Sequence, residues 1–72
     1  MDDTLLYMNT KKQYKKLLNE VEKEMSVLKK RLQEHQIHFN KQPNNFGYIA
    51  DLNYTYDELT HINKFLKYVE IP

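Results

Sequence analysis

Three groups of side chains in this sequence have types and spacings that suggest chemistry: a histidine pair, a lysine run and a set of tyrosines. His35 and His38 are three residues apart, which brings both imidazoles to one face of a helix. Two such rings can begin a zinc site, but zinc needs three or four ligands, and only His61 and Glu34 stand ready to complete it. His35 also falls on a periodic apolar row near a turn, where a partly buried histidine needs no ligand role. We therefore read no metal site and no cofactor. Catalysis is just as poorly supplied. Ser26 is the only serine and has no nucleophile elbow around it, no glycine-rich loop cradles phosphates, and no cysteine offers a thiolate. Asp57 and Glu58 are adjacent carboxylates on a helix exterior, where such pairs are solvated. The residues predict a protein that is not an enzyme.

The lysine run is KKQYKK, in which Lys11, Lys12, Lys15 and Lys16 surround Tyr14. Like charges at three- and four-residue spacing repel within an isolated helix. The functional reading is phosphate neutralisation with Tyr14 available to stack on a base, as in a nucleic-acid-associated regulator. The plainer reading is a solvated lysine face with Tyr14 turned into the apolar row. A second basic cluster, Lys29 to Arg31, is diluted by Glu24 and Glu34.

The tyrosines carry more weight. Tyr7, Tyr54, Tyr56 and Tyr68 do not all fit into one two-helix seam, and tyrosine suits protein interfaces because it joins a large apolar area to a polar tip. With Leu5, Leu6 and Tyr14, they form the expected partner-binding set.

Periodicity supplies the elements that position these residues. Tyr14, Leu18, Val21, Met25, Leu28, Leu32, His35 and Phe39 recur at alternating steps of four and three, with Leu17 on the flank. Lys, Glu, Gln and Arg fill the gaps, and no Gly or Pro occurs before Pro43. This predicts a helix over about 4–39, started by the aspartates at its front. Asn40 to Asn45 read as a stop and a turn. Proline disfavours helix at the residue before it, and asparagine tolerates left-handed backbone and can cap a new helix.

The stretch PNNFGYIADLNYTYDEL then poses a choice. Gly47, the strand-like Tyr54-Thr55-Tyr56 and a capping-box pattern from Thr55 to Glu58 favour a loop with a later helix. Against them, Tyr48, Leu52, Thr55, Leu59, Ile62, Leu66 and Val69 keep the same four–three spacing, flanked by Ile49, Tyr56 and Phe65. Periodicity is the stronger signal, so we predict one helix over about 46–69, with room for a kink near Asn53–Thr55. The expected architecture is all-α: an antiparallel, coiled-coil-like hairpin in a single domain over residues 1–72.

Size makes self-association part of that expectation. Seventy-two residues without disulfides sit where one core barely suffices. The predicted first helix outreaches the second, which leaves Leu5, Leu6, Tyr7 and Met8 with no cover in their own chain. A second copy, giving a four-helix arrangement, is the simplest source of the missing surface. The net charge of +1 divides into +3 over residues 1–42 and −2 over residues 43–72, which suits halves that lie against each other better than a nucleic-acid binder. No apolar run is long enough to span a membrane and the acidic start is unlike a signal peptide, so the expected location is the cytoplasm.

The segment NNFGYIADLNYTYDELTHINKFL resembles the C-terminal helix of small uncharacterised helical proteins of phages and other mobile elements. In these, Asn-aromatic-Gly-Tyr and Asp-Leu precede a helix that ends in an apolar Phe-Leu. The resemblance covers about a third of the chain, and Ala50 departs from it where a glycine is expected. It brings no catalytic residues. It implies an inhibitor that binds and blocks a host defence or regulatory protein in the bacterial cytoplasm. Helical-hairpin phosphatases of the sporulation-regulator type are set aside, because Tyr56-Asp57-Glu58-Leu59-Thr60 lacks the acid of their motif. The leading expectation is thus an inhibitory interaction module, and the alternative is a nucleic-acid-associated regulator using Lys11–Lys16. A purely structural assembly subunit is a third possibility.

Overall fold

The computed structural model describes the backbone of residues 3–69 and the side chains of residues 9–67. Two helices account for nearly all of it: α1, Asp3–Lys41, and α2, Gly47–Val69, with no strand among the described residues. The all-helical class expected from periodicity is therefore present. By the rise of 1.5 Å per residue, α1 is about 58 Å long and α2 about 34 Å. The chain divides into two units, residues 1–34 and residues 35–72.

Over its described residues the first unit is a single helical segment. Its interior positions favour helix, with no Gly, no Pro and few β-branched residues. Ser26 donates its hydroxyl to the backbone carbonyl of Glu22 at 3.3 Å, which satisfies the one serine without interrupting the ladder.

The second unit contains the end of α1, the turn and α2. α1 continues to Lys41, two residues beyond the expected stop. There the amide of Gln42 donates to the carbonyls of both His38, at 3.2 Å, and Phe39, at 3.0 Å, so the final turn is closed. Pro43 then ends the helix. Asn45 N–H donates to the Gln42 carbonyl at 3.1 Å, making Gln42–Asn45 a β-turn with proline second. Among the described residues no non-glycine residue has positive φ, so this turn is type I, and the expected left-handed asparagine is not used.

Asn45 has the other role expected of it. Its Oδ1 accepts the Gly47 amide at 2.9 Å, the bond of an N-cap to the second helical residue. Gly47 is no helix breaker here. A Cβ on it would stand 3.0 Å from Asn45 Oδ1, so glycine gives the cap room to close. α2 then runs without interruption through Asn53, Tyr54 and Thr55. The capping-box pattern at Thr55 starts nothing: its hydroxyl donates to the Asp51 carbonyl at 2.8 Å, within the helix.

Candidate interaction surface

Around the turn, the last two turns of α1 meet the first turns of α2. His35 and Phe39, four residues apart, lie on one face of α1 and are half-buried. Tyr48 of α2 contacts both edge-to-face, with centroids 5.2 Å from the His35 ring and 6.3 Å from Phe39, each interplanar angle being 87°. Such geometry sets the positive ring edge of one partner on the electron-rich face of the other. Three residues after Tyr48, Asp51 Oδ2 lies 3.0 Å from His35 Nε2. An ionised carboxylate only accepts, so Nε2 carries the proton and donates it. This joint occupies His35. The histidine pair considered for metal binding is drawn apart in role, and no group of three or more His, Cys, Asp or Glu capable of holding a metal occurs among the described residues.

The joint was only half legible. The apolar spacing gives Phe39 and Tyr48 as the rows' facing ends, and places His35 on the row, but it says nothing of Asp51. The available signal was positional: His35 lies four residues before Phe39 and Asp51 three after Tyr48, similar excursions from the turn.

Elsewhere the apolar rows are uncovered. No side chain among the described residues is buried. On α1, Leu17, Leu18, Val21 and Met25 are exposed, Met25 to 63%, while Leu28 and Leu32 are half-buried. On α2, Leu52, Leu59, Ile62, Phe65 and Leu66 are exposed. Phe46, beside the N-cap, is the barest at 79%.

The tyrosine set does not form one patch. Tyr54 and Tyr56 are exposed to 69% and 70%, but residues two apart on a helix point about 200° away from each other. Tyr56 lies beside Leu52 and Leu59 at the edge of the α2 row, whereas Tyr54 shares its face with Asp51 and Glu58. Tyr14 is 68% exposed on α1. Leu5, Leu6, Tyr7 and Tyr68, the other expected contacts, have side chains outside the described residues. Lys11, Lys12, Lys15 and Lys16 are all exposed and span an arc of about 140° on α1, with Tyr14 beyond its edge.

The Ser26 hydroxyl hydrogen is committed to a backbone carbonyl, and Asp57 and Glu58 are both exposed to solvent. No described helix is long and apolar enough to cross a membrane. Comparison with protein-family models, with curated proteins and with solved structures finds no match.

Proposed function

We propose that this protein is a non-enzymatic interaction module, a two-helix hairpin whose apolar rows are completed by other polypeptide. The observation that carries this reading is the exposure of the described apolar residues that the four–three spacing places on the rows, apart from the half-buried Leu28, Leu32, Phe39 and Tyr48. Fully burying one Val, Leu, Ile, Phe or Met side chain contributes about 1.5–3 kcal/mol. Row side chains left about half exposed therefore forgo roughly 5–10 kcal/mol, comparable to the whole stability of an ordinary small domain, about 5–15 kcal/mol. A second copy supplies matching rows, and the four-helix arrangement places all of them inward.

In this reading, the surface left over after self-association is what recognises a target, and Tyr54, standing off the row on an acidic face, is its centre. A host protein blocked by that face is the biological form we favour, in keeping with the resemblance to phage and mobile-element proteins. The test is capture from a bacterial lysate by the tagged full chain and by its Tyr54→Ala variant. The reading expects a stoichiometric partner retained by the parent chain and lost by the variant. Equal capture by both, or none by either, contradicts it.

A second reading rests on the four exposed lysines beside exposed Tyr14. Binding of single-stranded nucleic acid by this face would weaken steeply with added salt and on replacing Lys12 and Lys16. Titrations of the parent chain and of that double variant at two salt concentrations separate the readings, because a tyrosine-centred protein contact responds weakly to both.

A further inference from the structure

We propose that two copies of this chain pair antiparallel through α1, about a two-fold axis between Ser26 and Val27, with Glu22 of each copy against Lys29 of the other. The inference deepens the interaction-module reading and rests on it.

The charges bordering the α1 row carry the argument. Val21, Met25, Leu28 and Leu32 form the middle of the row. Glu22 and Lys29 flank it on one side, and Glu24 and Arg31 on the other. Each pair is seven residues apart, two turns of helix, so its members share a bearing but lie about 10 Å apart along the axis. In an antiparallel pair, each flank meets the same flank of the other copy in reverse order. With the axis between Ser26 and Val27, Met25 stacks on Leu28 and Val21 on Leu32. Glu22 then faces Lys29 and Glu24 faces Arg31. The two-fold repeats each contact, giving four attractive pairs and no repulsive one.

Other alignments are worse. Sliding the copies by one heptad in one direction sets Glu22 against Glu22 and Glu24 against Glu24. Sliding in the other direction sets Lys29 against Lys29 and Arg31 against Arg31. A parallel pair in register keeps only the Glu24–Lys29 attraction, and it stacks Lys11 on Lys11 and His35 on His35. Like-charge juxtaposition of this kind selects partner orientation in helical pairs.

Glu22 and Lys29 are also free for the role. Neither has an opposite charge three or four residues away on α1. The side-chain bond between His35 and Asp51 involves neither of them.

The test uses the full chain and sedimentation equilibrium, with circular dichroism confirming that each variant keeps its helix content. Glu22→Lys places lysine against lysine twice, and Lys29→Glu places glutamate against glutamate twice. Each change should raise the dimer Kd roughly tenfold or more at low salt, and the effect should fade at high salt. Two results then support the pairing: recovery of the parent affinity by Glu22→Lys/Lys29→Glu, and preferential heterodimer formation when the two single variants are mixed. If the parent chain dimerises but the single variants dimerise equally well, or the double variant stays as weak as the singles, this alignment is overturned while the module reading stands. If the parent chain is a fully helical monomer at every concentration, both fall.

Discussion

His35 Nε2 lies 3.0 Å from Asp51 Oδ2 across sixteen residues, beside the edge-to-face contact between the same imidazole and Tyr48. Together these make the joint that orders the end of α1, the turn and the start of α2. The carboxylate is 64% exposed, so the polar bond is screened, and the aromatic contacts hold the joint.

The first prediction separates the two contributions. Tyr48→Ala removes both ring contacts, each worth about 0.5–1.5 kcal/mol beyond the area buried, and should lower stability by roughly 2 kcal/mol or more. Asp51→Ala should lower it by less than about 1 kcal/mol. Urea midpoints followed by circular dichroism rank the two. An Asp51 effect larger than the Tyr48 effect would show that the polar bond dominates.

The N-cap gives a coupling test. Asn45→Ala removes the acceptor for the Gly47 amide and should cost about 1 kcal/mol. Gly47→Ala alone combines a helix-propensity gain of up to about 1 kcal/mol with a Cβ 3.0 Å from Asn45 Oδ1. With Asn45 already replaced by alanine, that crowding is absent, so Gly47→Ala should be more favourable in the Asn45→Ala background than in the parent. Strict additivity across the double-mutant cycle would mean that the cap yields without cost.

Thr55 reports on the nature of α2. Its hydroxyl bonds back to Asp51 within the helix, so Thr55→Ala should change stability by no more than about 0.5 kcal/mol, and in the favourable direction if propensity prevails. A loss near 1 kcal/mol is instead the mark of a helix beginning at Thr55.

The fold was legible where one signal had no competitor. From Tyr14 to Phe39 the apolar spacing, the helix-forming gaps and the missing Gly and Pro all agree, and α1 is the result. Over Gly47–Tyr56, period and propensity disagree, and period prevails because the helix ladder accepts Thr55 while Asn45 uses the space that Gly47 leaves. The surface was less legible. Composition picks out tyrosines as a class, but Tyr54 and Tyr56 diverge once they are on a helix. Only the matching distances of Asp51 and His35 from the turn hint at their bond, since that contact depends on where the turn delivers α2.

The α1 row provides a contrast within one helix. Leu28→Asp places a charge in the middle of the row and should abolish self-association. Lys30→Glu changes charge away from the row and should leave self-association within about threefold of the parent. Sedimentation of the two variants beside the parent chain makes the comparison. Equal loss in both would show that net charge, and not the row, governs assembly.

The central claim is that these helices are completed by a second polypeptide, and it is tested most directly by measuring mass and helicity together over a wide dilution series. The account predicts a species of twice the chain mass at high concentration that dissociates on dilution, with helical signal falling as it does and a thermal midpoint that rises with concentration. A single chain mass throughout, with full helicity and a concentration-independent, cooperative melt, would contradict it.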